Sequence, residues 1–136
     1  DIKINNSCGN YLDSGAKHLV INYADDWSNK KELKKKMEKM RYDELFYPDG
    51  INVNFYKRIN LDTIQVKTYE KGIESLMDSC ASGSFACAYD YSKNSNIKSI
   101  KIINDGGDSK ILFANDYKRN FFSSKAIIEF KGNIEV

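Results

Sequence analysis

Along much of the chain apolar and polar residues alternate with period two, the pattern of half-buried strands. Residues 2–4 give a short candidate, and residues 18–23 a stronger one, with Leu19, Ile21 and Tyr23 on one face. Ile51, Val53 and Phe55 alternate with Asn52, Asn54 and Tyr56, and Ile64, Val66 and Thr68 with Gln65, Lys67 and Tyr69. Three later strands are expected at 97–103, 110–114 and 125–130. Asn104-Asp105-Gly106-Gly107-Asp108 separates the first two of these, a composition suited to a tight turn with positive φ.

Two segments change period and read as helices. Asn29 followed by Glu32 resembles a capping box, and Leu33, Met37 and Met40 follow at i, i+4 and i+7. The rest of this helix carries Lys30, Lys31, Lys34, Lys35, Lys36 and Lys39, a solvated lysine face over a narrow apolar stripe. No aromatics interleave with the lysines as a nucleic-acid surface would have them. The second helix starts near Ser82-Gly83 and runs through Tyr91, with small and apolar residues on most sides. A helix apolar nearly all round is usually buried. The pattern therefore predicts an α+β domain, a barrel-like curved β-sheet around a central buried helix. Neither repeats nor an internal linker interrupt it.

Composition narrows the classes. The 136 residues fit one domain, and 41% hydrophobic with 29% charged residues supply a core. A formal charge of +2 is too balanced for nucleic acid or an anionic membrane as main partner. Apolar runs stay at a handful of residues, too short to cross a bilayer, and no signal-peptide pattern is present. Three irregularly spaced cysteines suit a reducing compartment, the cytoplasm, better than a disulfide scaffold. Asp1 is not a start residue, so the chain is expected to have been cut from something longer.

The chemistry concentrates in Ser79-Cys80-Ala81-Ser82-Gly83-Ser84, a cysteine before small residues at the start of the buried helix. Unpaired N–H groups and the partial positive charge at a helix N-terminus favour a thiolate and also bind a carboxylate. A structural cysteine beside a tight turn is the competing reading. Cys87, two turns along the helix, has apolar neighbours and suits packing, and Cys8 is expected in a loop with no role. The cysteines and His18 lack the paired spacing of zinc ligands, so no metal is expected. At the end of the preceding strand, Glu70 and Lys71 could meet a zwitterionic amino acid, the acid taking its ammonium, or form an ordinary surface pair. Asn52, a lone polar strand position, is uninformative by itself.

Together these segments resemble, in order and over nearly the whole chain, the second half of diaminopimelate epimerase and its relatives. Asp13-Ser14-Gly15-Ala16-Lys17-His18 resembles that family's Gly-Asn-Pro-His segment. Tyr47-Pro48-Asp49-Gly50-Ile51-Asn52-Val53-Asn54-Phe55 resembles its Phe-Pro-x-x-Val-Asn-x-x-Phe. Tyr69-Glu70-Lys71-Gly72 resembles Tyr-Glu-Arg-Gly, and Cys80-Ala81-Ser82-Gly83 resembles Cys-Gly-Ser/Thr-Gly, with Ala86-Cys87-Ala88 following as Ala-Cys-Ala. The Asp-Gly-Gly turn and the ending Ala126-Ile127-Ile128-Glu129-Phe130-Lys131-Gly132 fit as well.

The resemblance implies the C-terminal half of a pyridoxal-independent amino-acid racemase or epimerase that needs no cofactor. In that family one cysteine thiolate removes the α-proton and a second, as thiol, protonates the opposite face. Two bases in opposite protonation states imply a bell-shaped pH profile. Cys80 matches one of the two; the N–H groups of Ala81 and Ser82 match the carboxylate cradle, and Asn52, Glu70 and Lys71 match substrate contacts. Among single residues His18 is an obvious base candidate by type, but in the resemblance it is supporting or structural.

Departures from the family pattern matter too. Ala16 and Lys17 replace Asn and Pro, residues 73–78 depart from Gly-Glu-Thr, and Ser124-Lys125 replaces Gly-Pro. Lys71 replaces Arg, giving up a planar two-pronged grip on a carboxylate. These changes weaken diaminopimelate as substrate more than they weaken racemisation; other amino acids, such as histidine in metal-chelator synthesis, are the alternative. The implied partners are an amino-acid substrate, an N-terminal half of the same protein carrying the second cysteine, and a second copy as a homodimer. Without that half this chain should racemise nothing. Rival expectations are an isomerase of another small molecule, against which Cys80 argues because that branch replaces the cysteine by an acid, and a non-catalytic domain that binds an amino acid or a partner protein.

Overall fold

A computed structural model describes residues 2–4, 7–128 and 130–133. Its centre is the antiparallel pair β4 (Asn52–Arg58) and β5 (Thr63–Glu70), with Asn54 opposite Thr68 and Phe55 opposite Lys67. On one side β3 (Lys17–Asn22) runs parallel to β4, His18 beside Asn52. Beyond it lie β2 (Ser7–Asp13) and the edge strand β1 (Ile2–Ile4). On the other side β7 (Ser99–Asn104) runs parallel to β5, followed by β8 (Gly107–Ala114) and the edge strand β9 (Arg119–Ser124). A short β6 (Ser75–Met77) pairs with the end of β5.

Parallel neighbours need a crossover connection. Helix α1 (Lys30–Arg41) lies between β3 and β4, and β6 with α2 (Ala81–Ser95) lies between β5 and β7. Strand alternation sends successive residues to opposite faces, so the sheet separates two cores. Leu19, Ile21, Val53, Phe55 and Tyr69 pack with Leu33, Met37 and Met40 of α1 and with Trp27. Val20, Tyr56, Ile64, Val66, Ile100, Ile102, Ile111 and Phe113 pack with Ala86, Cys87, Ala88 and Tyr91 of α2.

Helix α1 keeps the predicted stripe: Leu33, Met37 and Met40 are buried and Asn29 caps it, its side chain accepting from the Glu32 N–H at 3.2 Å. Helix α2 is enclosed as its composition predicts, with eight of its residues buried from Gly83 to Ser92. The expected barrel-like sheet, however, is open: among the described residues no pairing joins β1 to β9, and a helix lies on each face. Two strand expectations also move. Residues 125–128 and 130 carry no strand, Glu129 lies outside the described residues, and the last strand is β9, where adjacent Phe121 and Phe122 break the alternation. Cys8 stands on β2 rather than in a loop, because Ser7, Cys8 and Gly9 pair with Ile4, Lys3 and Ile2. Asp1 and Asn6 lie outside the described residues.

Candidate active site

Helix α2 begins beside the end of the β4–β5 pair. Gly83 makes this possible: a Cβ there would run into Asn54 Oδ1 and sit 2.6 Å from Thr68 Oγ1, so only glycine lets the helix approach so closely. Asn54 and Thr68 are buried on the α2 face, the Thr68 hydroxyl donating to Asn54 Oδ1 at 2.9 Å. The Asn54 amide donates to His18 Nδ1 at 3.0 Å and to the Leu19 carbonyl at 3.2 Å. His18 is fully buried, and with Nδ1 accepting, its remaining proton sits on Nε2, which has no partner among the described residues. Burial holds the His18 pKa below 6.5, with Asn54 and Asp13 opposing; the ring is neutral near neutral pH.

Cys80 is the N-cap of α2, in extended conformation and partly exposed. Its Sγ accepts from the Gly83 N–H at 3.5 Å and lies 3.5 Å from Ser82 Oγ. The Ser84 N–H bonds the Cys80 carbonyl at 2.9 Å, closing the first turn. The amides of Ala81 and Ser82 lie ahead of the helical ladder and have no intrahelical acceptor. Ala81 is exposed and Ser82 partly so. The β2–β3 turn closes one flank, with the Ser14 hydroxyl 3.5 Å from the Ser82 carbonyl.

The other expected site residues cluster at the end of the same strand pair. Asn52 bridges two segments: its amide donates to the Lys17 carbonyl at 3.0 Å and its Oδ1 accepts the Lys71 N–H at 2.8 Å. Glu70, by alternation from Thr68, belongs to the α2 face. Lys71 and Gly72 are exposed in the turn beyond, Gly72 at φ +90°. Asn52 and Lys71 are thus joined directly, and Cys80, Ala81 and Ser82 by the chain. Among the described residues no hydrogen bond links Cys80 to Asn52, Glu70 or Lys71; the two groups meet through the Asn54–Thr68 seat under Gly83.

Three supporting groups escape sequence reasoning because they depend on long-range packing. Arg41, at the end of α1, is buried and donates to Glu74 Oε1 at 2.9 Å, while Glu74 accepts the Gly72 N–H at 2.9 Å. Burial alone would raise the Glu74 pKa; Gly72, Tyr42 and Arg41 outweigh it and hold it below its usual value. Buried Lys67 is ion-paired to Asp105. Asn10 and Tyr56 both donate to buried Asp90, Tyr56 at 2.7 Å. Cys87 is fully buried, and desolvation pushes its thiol pKa up, which suits packing rather than proton transfer.

A cavity of about 560 Å³ opens beside Asp90, Tyr56 and Asn10, towards the C-terminal end of α2, and one of about 320 Å³ beside Ser14 and Phe85 on the flank of the Cys80 turn. Cys80 and Ser82 are partly exposed and Ala81 exposed, at the same sheet end as Asn52 and Lys71. Over 129 residues the chain is 32% identical to the diaminopimelate epimerase of Aquifex aeolicus, covering 93% of the chain and 46% of that enzyme. The chain is thus a homologue of diaminopimelate epimerases over most of its length. A second such relative, from Methanocella arvoryzae, is 32% identical over 130 residues, 92% of this chain and 43% of its own. The chain spans less than half the length of these relatives. No protein-family model matches it. Among solved structures, a phenazine biosynthesis protein of the PhzF family from Bacillus anthracis superposes with a TM-score of 0.56 at 15% identity, over 85% of this chain and 38% of that one. That likeness agrees with the mixed sheet and two helices described above.

Proposed function

We propose that this chain is the Cys80-bearing half of a pyridoxal-independent amino-acid racemase or epimerase. The observation that carries the reading is the seat of Cys80: a partly exposed thiol capping an enclosed helix, beside two amides with no intrahelical acceptor. The substrate α-carboxylate binds the Ala81 and Ser82 N–H groups, where the helix end offsets the charge that develops as the α-proton leaves. Cys80 Sγ takes that proton as thiolate or supplies one as thiol, and a second cysteine on the other half acts at the opposite face of the α-carbon. Glu70 takes the ammonium. Lys71 meets a distal acid as a point charge, and Asn52 uses its second amide hydrogen while holding the Lys71 backbone.

The exposure of Ala81 and the partial exposure of Cys80 and Ser82 fit a site completed by a second domain, an N-terminal half carrying the other cysteine. That half is the partner this reading requires; dimerisation and a cytoplasmic location belong to the same proposal. Lysine-pathway diaminopimelate is the first substrate to test, and other free amino acids, histidine included, follow because Lys71 stands where the family carries Arg.

The test is α-proton exchange in heavy water, over a panel of amino acids, by the chain joined to its N-terminal half and by the 136-residue chain alone. Exchange by the joined protein and none by the chain alone is expected, together with a loss of at least about a hundredfold on Cys80→Ser. Absence of exchange with every amino acid would refute the enzyme reading, and undiminished exchange in Cys80→Ser would refute the residue assignment.

A further inference from the structure

Lys67 is a charged residue buried in the strand that leads to the candidate site. It sits on β5 facing α1, opposite Phe55, and its side chain is 7% exposed. A lysine at such a position needs a partner, since burying an unpaired ammonium is costly. That partner is Asp105, in the turn between β7 and β8. Lys67, more than Lys30, lowers the Asp105 pKa, and Lys30 approaches the other carboxylate oxygen at 3.1 Å from the surface.

The turn that Lys67 holds touches the Cys80 segment on both sides. The Gly106 N–H donates to the Asp78 carbonyl at 2.7 Å, two residues before the thiol. A Cβ on Gly106 would lie 3.2 Å from that carbonyl oxygen, so the two backbones are already close. The Asn104 amide donates to Ser84 Oγ at 3.2 Å, four residues after the thiol, and both side chains are buried. One short turn thus fixes the segment before Cys80 and the first helical turn after it, and this turn of the β7–β8 hairpin is joined to β5 by an ion pair whose lysine is buried and whose carboxylate is one-third exposed.

From this juxtaposition we propose that Lys67, acting through Asp105 and the 104–107 turn, is the positioning residue for the Cys80 thiol. Its catalytic consequence rests on the function proposed above; its structural consequence does not. Lys67 touches no reacting atom in this scheme. It fixes where Sγ stands relative to the Gly83 N–H and the end of α2, the contacts that favour a reactive thiol.

The test separates the two levels. Iodoacetamide labels Cys80 in a Cys8→Ser background; Cys87 is fully buried and unreactive in the folded chain. Lys67→Met keeps the length of the side chain and removes the charge. It is expected to slow Cys80 labelling about two- to fivefold in protein that a thermal melt shows to be folded, the range a helix-terminus interaction supplies. Lys30→Ala, which removes only the exposed arm of the same carboxylate, is expected to leave the rate unchanged. Gly106→Ala keeps the ion pair and presses the turn off Asp78, and is expected to slow labelling similarly. It serves as the deciding variant should Lys67→Met not fold.

Unchanged or faster labelling in the folded Lys67→Met or Gly106→Ala protein overturns the positioning role. Where the joined protein exchanges α-protons, Lys67→Met should lower kcat by more than it raises KM. Slowed labelling without exchange on any amino acid would sink the proposed function and leave the positioning role standing.

Discussion

At the scale of single residues, the polar seat under α2 makes distinct predictions for His18 and Gly83. His18 is the chain's one histidine, so between about pH 5 and 6.5 its titration is not overlaid by another imidazole. Its folded pKa lies below the unfolded value because burial penalises the charged ring. In the window between the two values the unfolded chain binds the extra proton, so stability rises with pH there and falls as pH drops below 6.5. Glu74 and Asp105 have pKa values held below 4.5 and 3.8, and their contributions are lost only at lower pH. Thermal melts should therefore lose stability from pH 7 to 5.5, and His18→Gln should flatten that slope. An imidazole NMR titration with a midpoint at or above 6.5 would contradict this. Gly83→Ala tests the packing of the same seat: its Cβ meets Asn54 and Thr68, both buried, and the expected cost is about 1–3 kcal/mol in a urea melt. Unaltered stability in that variant would show that the seat can yield.

At the scale of elements, Arg41 links the end of α1 to the turn that carries Lys71. The guanidinium binds Glu74, Glu74 holds the Gly72 amide, and Asn52 holds the Lys71 amide, so the turn is fixed from two sides. Glu74→Gln removes one charge of this pair while Arg41 stays buried. Because the Glu74 side chain is one-third exposed, the expected loss is about 1–2 kcal/mol rather than that of a fully buried pair. Denaturant melts measure it, and a loss under about 0.3 kcal/mol would show that the turn does not depend on Arg41. The contrast with what sequence reveals is physical. The period of α1 was legible because it presents one face to a core, and the alternation of β3, β4 and β5 was legible, although both faces are covered, because His18, Asn52, Asn54 and Thr68 place polar groups on the α2 side. The position of Cys80 at the start of α2 was legible from small residues after a cysteine. Arg41–Glu74, Lys67–Asp105 and the Asn54–His18 contact join residues 33 to 38 positions apart, and no local pattern encodes such pairs. Strand β2 was hidden by its polar start, Ser7-Cys8-Gly9-Asn10, whose pairing with β1 and β3 is itself long-range information.

At the scale of the whole molecule, one sheet carries two cores, and the question is whether they are one cooperative unit. Residues of β3, β4 and β5 contribute alternately to both: Leu19 and Ile21 to one, Val20 between them to the other, and likewise Val53 and Phe55 against Tyr56. Removing the α1 layer would expose one side of the very strands on which α2 packs, so neither layer can melt while the other keeps its full burial. The sequence supplies a reporter for each. Trp27, the only tryptophan, lies in the α1-side core at 7% exposure, and Cys87 lies fully buried in the α2-side core. In a Cys8→Ser, Cys80→Ser background, Trp27 fluorescence and Cys87 thiol labelling should follow denaturant with the same midpoint. Serine at position 80 retains an oxygen for the helix cap, so the background should perturb α2 little. Met37→Ala, in the α1 layer, should cost about 2–5 kcal/mol and move both midpoints together. If Cys87 stayed protected after Trp27 had become exposed, the helix carrying the candidate site would be stable without the α1 layer. The Arg41 link would then not be needed to keep Cys80 in place. Coincident curves, the expected result, make the placement of Cys80 a property of both cores, so that destabilising either one loosens the candidate site.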